Sequence, residues 1–94
     1  MEKVRVFYSS LCPDTGPFFA ELERLTIPVE GIDITESMRN LKQFLAVRDH
    51  ETAFVTRKEL GMVGVPCLVT TDDDYIFEVA DLADYAAKIS LETR

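Results

Sequence analysis

The sequence predicts an α/β fold in which a four-stranded mixed sheet carries helices on both faces. Two observations lead to it: the apolar residues alternate in some segments and recur at helical spacing in others, and the segments follow the order β-α-β-α-β-β-α. A βαβ unit followed by a ββα unit has few compact arrangements, because the crossover is right-handed and each helix must cover a sheet face. With 94 residues, 47% of them hydrophobic, residues 1–94 are predicted to form a single domain.

The first half of the chain predicts two strands and two helices. Residues 3–8 alternate Val4, Val6 and Tyr8 with their neighbours, which is typical of a strand. Helical spacing begins at Pro17 and ends before Pro28. Residues 29–34 form a second apolar segment, in which Asp33 and Glu36 resemble a capping box that opens the second helix. The predicted core faces of the two helices are Phe18, Leu22 and Leu25, with Phe19 beside them, and Met38, Leu41, Phe44 and Leu45.

The second half predicts a hairpin and a last helix. Residues 50–64 fit either a further helical turn or a packed loop around Phe54, Val55 and Leu60. Residues 65–70 and 75–79 are strand-like and are joined by the turn-forming residues 71–74, so they predict an antiparallel pair. Asp81 is predicted to cap the last helix. Its inner face is expected to comprise Leu82, Tyr85, Ala86 and Ile89.

Composition excludes several function classes. The net charge of −7 has the wrong sign for a nucleic-acid partner. No stretch approaches the roughly 20 apolar residues that cross a bilayer, so we expect no membrane partner and a cytoplasmic location. Two distant cysteines are too few for a disulfide framework, and no Cys/His spacing indicates a metal site. The cysteines therefore either react or pack.

Cys12 is the position where placement alone could activate a side chain. It follows the first strand in Ser9-Ser10-Leu11-Cys12-Pro13-Asp14-Thr15. If Pro13 takes the first helical position, Cys12 is the N-cap, and the positive end of the helix favours the thiolate, which is the nucleophile in disulfide exchange. Asp14 opposes this effect by its charge, and Gly16-Pro17 could delay the helix and make Thr15 the N-cap instead. A buried, unreactive Cys12 is the alternative.

Two segments resemble the active-site and cis-proline segments of glutaredoxins. They are Phe7-Tyr8-Ser9-Ser10-Leu11-Cys12-Pro13-Asp14-Thr15 and Gly64-Val65-Pro66-Cys67-Leu68-Val69. The resemblance implies a thioredoxin-like, glutaredoxin-type fold over the whole chain, with Cys12 as catalytic nucleophile. It further implies that Pro66 is a cis proline and that Pro13, Thr15, Val65, Pro66 and Asp81 form the thiol-binding site. Thr15 stands where dithiol glutaredoxins have a second cysteine, so the resemblance is to a monothiol form.

Three functions follow from this resemblance. The first is a monothiol thiol–disulfide oxidoreductase that uses Cys12 on mixed disulfides of small thiols, with glutathione or another low-molecular-weight thiol as co-substrate and no tightly bound cofactor. Its partners would be a small thiol or a protein disulfide. The second is a non-catalytic thioredoxin-fold binding domain. The third is a redox sensor in which Cys12 pairs with Cys67, a possible resolving thiol, although strand alternation favours a Cys67 that points into the core instead.

Overall fold

The computed structural model describes residues 4–92 of the chain. Its sheet has the order β2-β1-β3-β4, with β2 parallel to β1 and both β1/β3 and β3/β4 antiparallel. The predicted four-stranded mixed sheet is therefore confirmed. The elements in chain order are β1 Arg5–Tyr8, α1 Thr15–Arg24, β2 Glu30–Asp33, α2 Met38–Arg48, a 3₁₀ turn Thr52–Phe54, α3 Val55–Glu59, β3 Cys67–Val69, β4 Tyr75–Ile76 and α4 Val79–Glu92.

Alternation along the central strands divides the core between the two sheet faces. In β1, Val6 and Phe7 are both fully buried but belong to different clusters, because successive side chains of a strand point to opposite faces. One cluster lies under α2 and the 3₁₀ turn and comprises Phe7, Ile32, Ile34, Phe44, Phe54, Cys67 and Val69. The other lies under α1 and α4 and comprises Val6, Phe18, Leu22, Ile27, Leu68 and Leu82. Helices on both faces are thus confirmed.

The start of α2 differs from the prediction. Ser37, in extended conformation, is the N-cap, and its hydroxyl accepts a hydrogen bond from the Asn40 amide at 3.1 Å. The predicted capping box of Asp33 and Glu36 is wrong, because the Asp33 carboxylate bonds to Thr35 instead. This later start places Met38 at the first helical position, where it is 66% exposed rather than in the core.

The structure shows which alternative residues 50–64 adopt, and the hairpin that follows them is shorter than predicted. Residues 52–59 are helical, and only Phe54 among the three apolar candidates is buried, whereas Val55 and Leu60 are exposed. The second hairpin strand ends at Ile76 rather than at residue 79. Because α4 already begins at Val79, Asp81 lies within its first turn, and the prediction that Asp81 is the cap is wrong.

Candidate functional site

Cys12 lies in a tight turn between β1 and α1. Its amide donates to the Ser9 carbonyl at 3.1 Å, and its own carbonyl accepts from the Thr15 amide at 3.2 Å. The Thr15 hydroxyl also donates to the Ser9 carbonyl, at 2.6 Å. Helix α1 begins at Thr15 with Asp14 as N-cap, so both predicted caps, Cys12 and the alternative Thr15, are wrong, and Pro13 precedes the helix. The turn formed by residues 9–12 delays the helix.

A polar network holds this turn against the end of β2. The buried Asp33 carboxylate accepts hydrogen bonds from the Thr35 amide at 2.9 Å and the Thr35 hydroxyl at 2.7 Å. These hydrogen bonds lower the pKa of the Asp33 carboxyl, and the bond from the Thr35 hydroxyl has the largest effect. The Thr35 hydroxyl lies 3.1 Å from that of Ser9, whose oxygen also accepts from the Leu11 amide at 3.1 Å. The loop before Cys12 is therefore fixed by side chains for which the sequence predicted a different role or none.

Cys12 is half-buried and lines an open groove of about 420 Å³. The groove separates the 9–14 segment from the segment that precedes β3, and Asp14 is the charged residue in its lining. The lining residues are Ser9, Leu11, Cys12, Asp14, Ile34, Thr35, Met62, Val63, Gly64 and Val65. The structure therefore brings Cys12 and Val65 to one groove.

A second cavity, of about 300 Å³, lies on the other side of Val65. Pro66 lines it together with Arg57, and the Val65–Pro66 peptide bond is cis. The Arg57 guanidinium lies 3.6 Å from the centroid of the Phe77 ring and 3.4 Å from the carboxylate of Glu78. Asp14, Met62, Gly64 and Val65 line both spaces, so the groove at Cys12 and the Arg57 cavity adjoin.

Cys67 is a core residue rather than a groove residue. Its side chain is completely buried in the cluster that contains Phe7 and Phe54, and burial raises the pKa of its thiol to about 12. Both cysteines are free thiols. Strand alternation has turned Cys67 inward, as the sequence allowed, and a thiol in this position is protonated near neutral pH and closed to solvent.

Three predicted binding residues lie apart from these spaces or at their margin. Asp81 is exposed and lines a separate cavity with Thr70 and Asp84. A helix turns by about 100° per residue, so Asp81 points roughly 200° away from Val79, which does line the Arg57 cavity. Pro13 is exposed beside Cys12, and Thr15 contributes its hydrogen bond to Ser9. The structure therefore does not bring Asp81 together with Cys12.

Several residues of the site carried no usable signal in the sequence. Met62 and Val63 belong to residues 50–64, whose pattern fits either a helical turn or a packed loop, so their proximity to Cys12 does not follow from the sequence. The sequence pattern does not distinguish Arg57 from the neighbouring charged residues, which are typical of a solvent-facing surface. Asp33 did carry a signal, since Asp followed two residues later by Thr is a local hydrogen-bonding pattern that competes with helix capping.

Comparison with known proteins defines the family. No family model matches the chain. An uncharacterised protein of Haemophilus influenzae is 39% identical over 82 residues, which cover 87% of this chain and 95% of that protein. The chain belongs to the same family as this Haemophilus influenzae protein. The match therefore extends over nearly the whole of both proteins.

The fold has a counterpart among solved structures. A glutathione transferase homologue from Sulfitobacter, crystallised with bound glutathione, superposes with a TM-score of 0.53 at 17% sequence identity. The superposition covers 98% of this chain but only 39% of the Sulfitobacter protein. The fold of the chain is thus thioredoxin-like. Within residues 4–92, no helix is long and apolar enough to cross a membrane, and no group of three or more His, Cys, Asp or Glu side chains could hold a metal ion.

Proposed function

We propose that this protein is a monothiol, glutaredoxin-like thiol–disulfide oxidoreductase that uses Cys12 on mixed disulfides of small thiols. The observation that carries the proposal is the position of Cys12: a half-buried free thiol in a groove, next to the segment that contains Val65, on a thioredoxin-like fold. The other cysteine is buried, so one thiol is available for exchange.

The reaction that this arrangement supports has two exchange steps. The Cys12 thiolate attacks the small-thiol sulfur of a mixed disulfide, forms a new disulfide to that sulfur and releases the other partner as a thiolate, which takes a proton from water. A second molecule of the small thiol, as thiolate, then attacks the adduct sulfur. This step releases the Cys12 thiolate and a symmetrical small-thiol disulfide, so the second thiol supplies the electrons that the mixed disulfide consumes.

The surroundings of Cys12 have separate parts in this scheme. Thr15 has no thiol and Cys67 is enclosed, so release of the adduct depends on the external thiol. The burial of Cys67 also speaks against a redox sensor in which Cys12 pairs with Cys67. Pro13 remains a proposed binding residue at the exposed edge of the turn. Val65 is proposed to bind the substrate through its backbone, since it lies before Cys67, the first residue of β3 that pairs with β1.

Glutathione is the proposed co-substrate, with another low-molecular-weight thiol as the alternative. The Sulfitobacter homologue was crystallised with glutathione. In this chain, the cavity beside Pro66 contains Arg57, a cation that can bind a carboxylate of a small thiol when its contact with Glu78 opens. Asp81, on another cavity, has no part in this arrangement.

A turnover assay tests the proposal. The protein is mixed with the mixed disulfide of cysteine and glutathione, excess glutathione and a coupled readout of oxidised glutathione, beside the Cys12→Ser and Cys67→Ser variants. We expect turnover in the wild type and in Cys67→Ser, none in Cys12→Ser, and one glutathione adduct per chain when reduced glutathione is omitted. Turnover that survives Cys12→Ser would exclude Cys12 as the nucleophile. An adduct without turnover would instead support the alternative of a non-catalytic binding domain.

A further inference from the structure

The edge of the Cys12 groove is apolar and open. Leu11 is 81% exposed, Met62 50% and Val63 54%, and all three line the groove beside the thiol. We call these three residues the apolar rim. They stand on both sides of the groove, since Leu11 precedes Cys12 and the other two precede Val65. Grouped exposed apolar side chains next to a polar site are typical of binding surfaces rather than of ordinary solvent-facing positions.

The backbone under the apolar rim is held in place. The Leu11 amide donates to the Ser9 hydroxyl oxygen. On the other side, the Met62 amide donates to the Arg57 carbonyl at 2.8 Å, and its carbonyl accepts from the Arg48 guanidinium at 3.0 Å. A rim with a fixed backbone loses little conformational entropy when a partner covers it, which is the physical advantage of a preorganised surface.

The charges at the groove restrict what can cover the rim. Asp14 is exposed, its side chain makes no capping hydrogen bond, and it is the one charged residue among those that line the groove. The chain as a whole carries a net charge of −7. An acidic segment is therefore repelled, whereas a segment that places a basic side chain opposite Asp14 is attracted.

We infer that the apolar rim docks an extended segment of a protein partner that carries an apolar residue next to its reacting cysteine and a basic residue facing Asp14. The inference rests on the proposed function in taking Cys12 as the exchanging thiol. The partner segment lies across Leu11, Met62 and Val63 while its disulfide reaches Cys12. The small thiol occupies the adjoining Arg57 cavity.

Single-turnover kinetics test this inference without requiring catalysis. Three end-blocked tripeptides, Leu-Cys-Lys, Gly-Cys-Lys and Leu-Cys-Glu, are activated as mixed disulfides with thionitrobenzoate. In this probe the Cys12 thiolate attacks the peptide sulfur rather than the small-thiol sulfur, because thionitrobenzoate is the less basic thiolate and leaves faster. The absorbance of the released thionitrobenzoate follows the reaction. Each rate constant is divided by that of free glutathione with the same reagent, so that the intrinsic reactivity of the peptide cancels. We expect Leu-Cys-Lys to react about tenfold faster than Gly-Cys-Lys, from burial of part of a leucine side chain. At low salt it should react about threefold faster than Leu-Cys-Glu.

Matched variants assign each preference to its residues. Leu11→Ser and Val63→Ser should bring the Leu-to-Gly ratio close to one, and Asp14→Asn should lower the Lys-to-Glu ratio to the part that the net negative charge of the chain alone produces. Met38→Ser is the control, because Met38 is 66% exposed but lies outside the groove, and it should keep the wild-type ratios.

The outcomes separate the inference from the proposed function. Equal normalised rates for all three peptides, or ratios that change as much in Met38→Ser as in Leu11→Ser, overturn the docking surface while leaving Cys12 a reactive thiol. A wild type no faster than Cys12→Ser with every peptide overturns the proposed function itself, and the docking surface with it. A wild type that is a dimer by light scattering and becomes monomeric in Leu11→Ser assigns the rim to a second copy of this chain and also overturns the inference.

Discussion

Gly64 links the stability of the core to the groove at Cys12. Its φ is +102°, a conformation that L side chains rarely adopt, and it directly precedes Val65. A Cβ built at Gly64 would lie 3.0 and 3.1 Å from two ring carbons of Phe54. That ring cannot retreat easily, because its centroid is 5.8, 5.4 and 5.0 Å from those of Phe44, Tyr75 and Phe77. We therefore predict that Gly64→Ala destabilises the protein.

Two physical effects add up in this variant. A non-glycine residue at positive φ costs about 1–2 kcal/mol. Pushing a methyl group into the packed ring of Phe54 costs about 1–3 kcal/mol. The expected loss in the free energy of unfolding is thus about 2–5 kcal/mol. For a domain of this size, each kcal/mol lowers Tm by about 4–8 °C, so a fall of at least about 8 °C is expected.

Two other glycines separate these effects. Gly61 has a φ of +73° but no atom within 4 Å of a built Cβ, so Gly61→Ala should show the backbone cost alone. Gly16 lies in α1 with open space and no positive φ, so Gly16→Ala should be neutral or stabilising by up to about 1 kcal/mol. The free energies come from urea unfolding followed by far-ultraviolet circular dichroism. Equal losses in Gly61→Ala and Gly64→Ala would refute the argument from the Phe54 contact.

Three further predictions concern the cysteines and the turn. Iodoacetamide at pH 8 should modify Cys12 in the folded protein and Cys67 only after unfolding, as read by peptide mass spectrometry; modification of Cys67 in the native state would contradict its burial. Burial raises the pKa of the Cys67 thiol to about 12, so the folded protein holds this proton more tightly than the unfolded chain does. The resulting stabilisation of the fold is complete below the ordinary pKa of cysteine and is lost as the pH rises from about 9 toward 12. Urea midpoints from pH 8 to 11 should therefore fall less in Cys67→Ala than in the wild type, and parallel curves would count against this. Thr15→Val should lower the free energy of unfolding by about 1 kcal/mol and slow alkylation of Cys12, whereas Thr15→Ser, which keeps the hydroxyl bonded to the Ser9 carbonyl, should do neither.

The order of the elements could be read from the chain because their periodicities are strong. The alternation in residues 3–8 predicted β1, which the structure gives as Arg5–Tyr8, and Lys3 lies outside the described residues. The spacing of Phe18 and Leu22 predicted the buried face of α1. Element ends were less predictable, because several side chains competed to cap them. Ser37 rather than Asp33 caps α2, and Asp14 rather than Cys12 or Thr15 caps α1.

The sequence located only part of the candidate site, namely Cys12 and the Val65-Pro66 segment. Cys12 was identifiable because a cysteine between a strand and a helix lies where the thiolate can be favoured. Val65 and Pro66 were identifiable because residues 64–69 resemble the cis-proline segment of glutaredoxins. Two of the three residues of the apolar rim, Met62 and Val63, lie 50 or more positions from Cys12 in the chain. Met62 and Val63 show no periodicity of their own, so only the structure, which places them in one groove with Leu11, shows that they belong to the site.

The sequence by itself determined the fold class and which cysteine stands in a polar loop, since both follow from local pattern and residue chemistry. Tertiary structure decided the rest. It buried Cys67, turned Asp81 toward another cavity and brought Met62 and Val63 to the thiol. These outcomes depend on strand register and on the rotation of a helix about its axis. A shift of one residue turns a strand side chain to the opposite face and a helix side chain by about 100°, and only packing against the other elements fixes these directions.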